Sequence, residues 1–429
     1  MMQTAQQAEA SRYLRQRPAL LALARAFCEN YRRLGHFGGT YRVEAAAEPE
    51  ACRTLSAFLR EDIRPGTRIS WGKCLRAWAQ TRFAAVPLGE ACAGTSAEAL
   101  TSRPAKRQAR RVQREAILAA LAEKYGDAPH CAQWLACLAD DAPQHRLAKR
   151  DYALDEPLLM TVARALAALP EQYERLPFFA NRVMGDPHAL DETEAAGRVF
   201  LQALGWLAQA APQGTPDGRA STAEEKMELL YRYHLLRDDV QNFATVYGIV
   251  PQGTGDTYFQ RAAAAFAPLN LPLREIVRTA VFAPVAGSDI YIVENSGVFS
   301  SLLDALTAAR RCVPLLCLHG QPKLASWALL DRLAASGARL HYSGDYDPEG
   351  LAIAEKLLRR YPGARPWHYE AAAYAPRTRA KLTATRLKQL ADITSPALQP
   401  AAAAIRQQKY AYYQESFADQ LAKDLLVRR

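Results

Sequence analysis

The chain has 429 residues, 49% apolar and 23% charged, which is the balance of a globular protein long enough for two or three cores. No apolar run approaches the roughly 20 residues a membrane-spanning helix needs. Arg25 breaks the early apolar run and no small-residue cleavage pattern follows it, so neither membrane insertion nor secretion is expected and the cytoplasm is. A formal net charge of +10 favours an anionic partner, nucleic acid first.

The first part reads as helical and rich in Ala, Leu and Arg. It is interrupted by "GHFGGTYRVEA" (35–45), where Gly38-Gly39 signals a turn and Tyr41 and Val43 alternate with Arg42 and Glu44. This predicts a strand pair or a strand and turn. Next, "SRPAKRQARRVQRE" (102–115) carries six basic residues against the single acid Glu115. On a helix Arg103, Arg107, Arg110 and Arg114 form one stripe. Two readings stay open, a stripe that follows a phosphate backbone and a solvated helix face.

The middle of the chain is again helix-rich. "GDPHALD" (185–191) clusters Asp186, His188 and Asp191, and turn and cap chemistry accounts for it. A helix is expected over 191–209 behind an Asp191 cap. "APQGTPDGRAS" (211–221) reads as a Gly/Pro-rich loop. "AEEKMELLYRYHLL" and "DDVQNFATVYGIV" then carry helical patterns compatible with a helix-turn-helix or winged-helix module. The eight cysteines form no Cys-x-x-Cys pair. Cys131 and Cys137, near His130 and His145, match no common zinc spacing and read as buried or idle thiols.

From about residue 281 strand and helix alternate strictly: "DIYIVEN", "GVFSSLLDALTAARR", "CVPLLCLHG", "KLASWALLDRLAASG", "ARLHYSGDYD", "PEGLAIAEKLLRR", "ARPWHYE". Short loops between such elements predict a parallel α/β sheet. In an open parallel sheet the site lies beyond the carboxyl ends of the strands. Glu294 ends one predicted strand, and Asp345 and Asp347 follow another. Three carboxylates near one point repel unless a cation sits among them, and oxygen-only ligands favour Mg2+ or Mn2+. The alternative reading is that Asp345 and Asp347 cap the helix starting near Pro348. Gly344 and Gly320 are expected to let the backbone turn sharply.

The acid after a first strand and the later Asp-x-Asp resemble the Toprim domain of topoisomerases, primases and several nucleases. "VEN", "CLHGQP", "HYSGDYDPEGLAIA" and "YYQESFADQLAKDL" resemble, more closely, the C-terminal region of the Wadjet nuclease subunit JetD and its relatives. "RLGHFGGTYRV" and "VMGDPHALDETEAAGRVFLQALG" resemble the other regions of that family.

This resemblance implies a multidomain α+β build like that of the topoisomerase VI A subunit and its meiotic relative. It would have a helical N-terminal arm (1–120), a winged-helix, CAP-like DNA-binding domain (121–270) and a C-terminal parallel-sheet Toprim domain (271–429). It also implies a homodimeric, metal-dependent endonuclease that cleaves circular, double-stranded plasmid DNA beside an SMC-like motor complex, JetABC. Glu294, Asp345 and Asp347 become its catalytic, metal-binding acids, with Glu294 also a general acid or base. Glu415 matches a family acid near the site.

Relatives that cut through a tyrosine depart from this chain, where no pattern singles out Tyr231, Tyr233 or Tyr247. Hydrolysis is therefore expected, with these tyrosines in the core or an interface. His319, Gln321 and Lys323 follow a strand end on the same sheet edge, to touch phosphate or shape the loop. Two other functions remain open: a phosphatase-type enzyme with Asp345 as nucleophile, and a non-catalytic DNA-binding or assembly subunit.

Overall fold

The structure, a computed structural model, describes residues 2–96, 99–140, 142–147, 150–209, 222–253, 257–375 and 380–427. The loop expected over 211–221 lies outside the described residues. The chain forms two compact units, Met1–Asp127 with Leu135–Leu159 and Ala128–Trp134 with Met160–Arg429. Helical and mixed-sheet regions together make a multidomain α+β fold.

The first unit contains α1 (Met2–Arg15), α2 (Pro18–Leu34), β1 (Thr40–Arg42), α3 (Pro49–Leu59), β2 (Arg68–Ser70), α4 (Trp71–Trp78), α5 (Leu88–Ala93) and α6 (Arg103–Tyr125). In α2, Leu20, Leu23, Ala24 and Phe27 recur at helical spacing and are buried, with Ile69 and Trp78 in the same core. The "TYR" segment pairs antiparallel with Arg68–Ser70, a partner strand beyond the 35–45 stretch. Ser102 caps α6 by accepting from the Ala105 N–H. Only Ile117 and Leu121 of that helix are buried, and its first three turns stand in solvent.

Two helices straddle the division, α7 (Pro129–Ala139) and α8 (Glu156–Ala167). The second unit opens with β3 (Glu174–Arg175), α9 (Leu176–Met184), α10 (Ala195–Gln209), α11 (Ala223–Arg232), β4 (Leu235–Leu236), β5 (Phe243–Tyr247), β6 (Ile249–Pro251), α12 (Tyr258–Ala264), β7 (Leu269–Pro272), α13 (Leu273–Arg278) and β8 (Phe282–Pro284). There follow β9 (Asp289–Val293), α14 (Ser296–Ala308), β10 (Leu315–Cys317), α15 (Leu324–Ala335), β11 (Arg339–Ser343), α16 (Pro348–Arg360) and β12 (Arg365–Pro366). The unit closes with α17 (Ala384–Gln389), α18 (Gln399–Gln408) and α19 (Ala418–Val427).

Three sequence expectations are corrected. The helix expected from Asp191 begins at Ala195; Asp191 instead receives the His188 ring and the Glu194 N–H in a turn. "DDVQNFATVYGIV" is not helical. Phe243–Tyr247 and Ile249–Pro251 are strands: the β-branched and aromatic residues of the first pair with β10 and β7, and the second pairs with β8. The sheet is therefore mixed rather than parallel, in the order β12-β11-β9-β10-β5-β7. Its β12, β11, β9 and β10 run parallel, and β5 and β7 extend it antiparallel.

The order of the parallel strands decides where a site can form. The chain leaves β9 through α14 to β10 on one side, then crosses through α15 to β11 on the other side of β9. The connection reverses between β9 and β11, which makes the carboxyl ends of these two strands a topological switch point. Residues 290–293 of β9 are all buried, as expected for a strand covered on both faces.

Candidate functional site

The strand register sets Val293 of β9 against Ser343 of β11, so Glu294 and Gly344 leave the sheet side by side. Glu294 Oε2 accepts the Asp345 N–H at 3.2 Å and the Tyr342 hydroxyl at 3.3 Å. Gly344 is required here for space. A Cβ would sit 2.6 Å from Glu294 Oε2 and 2.4 Å from Tyr342 Oη, whereas its φ lies outside the left-handed region. The sharp-turn role expected of Gly344 thus gives way to close approach. Gly320, with φ +84°, does make such a turn, and its N–H donates to the Glu294 carbonyl at 3.1 Å.

Asp345 is held from far along the chain. Its Oδ1 accepts the Gln414 N–H at 2.7 Å, and the Gln414 Oε1 accepts the Asn295 N–H at 3.3 Å. Tyr346 and Tyr412 form an antiparallel bridge that straps this later segment beside the site. Asn295 also donates through Nδ2 to Glu415 Oε1. The Gln414 side chain is wholly buried, yet its Nε2 has no partner among the described residues.

Asp347 is occupied differently. Its Oδ1 caps α16 by accepting the Gly350 N–H at 2.8 Å, so the capping reading holds for this residue. Its Oδ2 accepts from Arg386 Nη2 at 2.7 Å, and Arg386 Nε donates to Glu349 Oε1 at 3.1 Å. Sequence reasoning misses Arg386. It lies in α17, where only its position on the folded chain, and no local motif, ties it to the acids.

Burial pushes the Asp345 carboxyl up to about 7, and the neighbouring Glu294, Asp347 and Glu415 charges push the same way. Glu294 is raised by burial, with Asp347 and Glu415 adding, and Asp347 is raised by burial against the pull of Arg386. The three acids named from sequence therefore meet in one electrostatic neighbourhood, with Glu415 beside them. As they stand, no group of three His, Cys, Asp or Glu side chains among the described residues is placed to hold a metal ion.

His319 is engaged with β5. It adopts φ +57° and lies with Nε2 2.6 Å from Thr245 Oγ1, while Lys323 sits over the Phe243 ring at 5.1 Å. Burial, then the Lys323 charge, lowers the His319 pKa. Tyr231 stacks on Tyr173 at 5.0 Å, the Tyr233 hydroxyl donates to the Leu204 carbonyl, and Tyr247 is buried. In GDPHALD, Asp186 accepts the His188 N–H and the His188 ring meets Asp191 at 2.8 Å, an exposed turn. All eight cysteines are free thiols.

The arginine stripe divides. Arg110 pairs with Asp151 at 3.4 Å and Arg114 donates to the Leu138 carbonyl, whereas Arg103, Lys106 and Arg107 are exposed and pair with no described residue. No helix among the described residues is long and apolar enough to cross a membrane.

Residues 269–425 match the family model described as Protein of unknown function C-terminus (DUF2399). Residues 37–251 match the one described as Protein of unknown function N-terminus (DUF3323). No curated protein matches the chain. With half of its length matched by the second model, the chain belongs to the DUF3323 family.

Proposed function

We propose that this chain is a metal-dependent DNA endonuclease with a Toprim-type site, acting on circular plasmid DNA. The observation that carries the reading is the meeting of Glu294 and Asp345 at the switch point of the sheet. Each keeps one carboxylate oxygen, Oε1 and Oδ2, that accepts nothing from any described residue. No basic side chain among the described residues pairs with either group, and burial and the neighbouring carboxylates raise both. Two uncompensated oxygens from separate strand ends suit a hard divalent cation that keeps waters and binds phosphate oxygens, Mg2+ or Mn2+. The orphaned Gln414 amide beside them supplies a donor for such a ligand shell.

In this reading Glu294 and Asp345 hold the ion, with Asp347 and Glu415 near it. When bound, the ion supplies Lewis acidity toward a phosphodiester and a more acidic water. The chain's own residues do the rest. Tyr342 and the Asp345 N–H orient Glu294, Gln414 orients Asp345, and the α16 cap fixes the turn that carries both aspartates. The net charge of +10 and the unpaired basic residues of α6 support a polyanionic substrate.

The resemblance supplies the finer picture: a winged-helix, CAP-like middle domain, a homodimer whose two sites face opposite strands, an SMC-like JetABC motor as partner, and a cytoplasmic setting. The test is incubation of closed circular plasmid with the chain, alone and with its motor partners, in Mg2+ or Mn2+. Glu294→Ala and Asp345→Ala should abolish linear product. Undiminished cleavage by either variant would end the assignment. A non-catalytic reading draws on one observation, the capping role of Asp347. Calorimetric titration with Mn2+ separates the two, since a non-catalytic subunit takes up no ion.

A further inference from the structure

Within the site, positive charge is distributed unevenly. Arg386 engages Asp347 and Glu349 through Nε and Nη2, with its side chain 35% exposed. Its Nη1 donates to no described residue. Asp347 has both oxygens taken, one by the α16 N-terminus and one by this guanidinium, and its side chain is only 9% exposed. Glu294 and Asp345 have no such partner.

We infer that Arg386 takes the place of a second metal ion: the site binds one divalent cation, on Glu294 and Asp345, and Asp347 serves to anchor the guanidinium. This rests on the reading of the site as a metal centre. Two carboxylates hold the planar fork on one side, and a guanidinium so fixed loses little freedom when its remaining N–H groups meet a phosphate oxygen. The unpartnered Gln414 Nε2 points to the same class of ligand, since a buried amide donor needs an acceptor. When bound, the ion would supply Lewis acidity to the phosphodiester, and the Arg386 N–H groups left over would donate to its oxygens. Asp347 is a positioning residue that acts through Arg386.

Calorimetry of the full chain with MnCl2, without DNA, tests this. Wild type should bind one ion. Asp347→Asn, which preserves the helix cap, should still bind one ion with affinity within about threefold, while Asp345→Asn should bind none. Arg386→Gln frees Asp347 and Glu349 and should raise the stoichiometry to two. Duplex DNA affinity gives a second readout. Arg386→Gln should lower the slope of log K against log salt by about one, and Arg386→Lys should restore it. Loss of Mn2+ binding in Asp347→Asn, or two ions on wild type, would overturn the inference and leave the metal centre standing. No binding by wild type would remove both. A slope unchanged in Arg386→Gln would also overturn the inference.

Discussion

A carboxylate buried among other carboxylates costs stability until something neutralises it. Asp345 is the sharpest case, and Asp345→Asn keeps an acceptor for the Gln414 N–H while removing the charge. The metal-free variant should therefore melt a few degrees above wild type at pH 8, where about 1 kcal/mol corresponds to roughly 2–4 °C in a large domain. Added Mn2+ should raise the melting temperature of wild type and leave the variant unmoved. Gly344→Ala tests the neighbouring constraint. Its Cβ would collide with Glu294 Oε2 and with the hydroxyls of the buried Tyr342 and Tyr369. A cost of about 1–3 kcal/mol in urea unfolding is expected, with Mn2+ affinity falling roughly 10–100-fold. A variant that binds Mn2+ like wild type would show that the carboxylate does not depend on that close approach for its position.

At the scale of elements, β9 and β11 are pinned at both ends. Opposite the acids, Asp289 at the start of β9 receives Arg339 at 2.8 Å and the His341 ring at 2.6 Å. The Arg339 hydrogen bond, ahead of His341, holds the Asp289 carboxyl down at about 2. A lowered pKa means stability that is present above the ordinary carboxylate value of 3.8 and is lost as pH falls toward 2. Asp289→Asn should flatten the urea-unfolding profile between these limits, and an unchanged profile would show that the pair adds nothing. In the mixed sheet, the strands from β9 onward are legible in the sequence because short strand-like segments, β-branched in β9 and continuously apolar around β10, alternate with helical periods and turns. The strands β5 and β7 are not. "FATVY" has helical and strand patterns superposed, and only its antiparallel partners β7 and β10, later in the chain, select the strand. Arg386 is hidden for the same reason, being paired across 39 positions of sequence. Glu294, Asp345 and Asp347 are legible because strand ends can be read locally and an open parallel sheet has one edge for its site.

For the whole molecule, the charge of +10 suits the polyanionic substrate proposed above. In that proposal the first turns of α6 would meet it through Arg103, Lys106 and Arg107, since Arg110 and Arg114 already have partners within the protein. Replacing those three by Gln should reduce the steepness of log K against log salt for duplex DNA by about 0.9 for each phosphate left unneutralised. The same change at Arg110 and Arg114 should do less. Equal slopes in both variants would return the helix to a merely solvated face.

Gln414 reaches Asp345 from 69 residues downstream, and the strap that carries it pairs through Tyr412. On the ribosome, the parallel strands emerge and can pair well before that strap exists. The acidic cluster is thus completed only after its own strands are made, and until Gln414 arrives the Asp345 carboxylate lacks the backbone N–H that holds it.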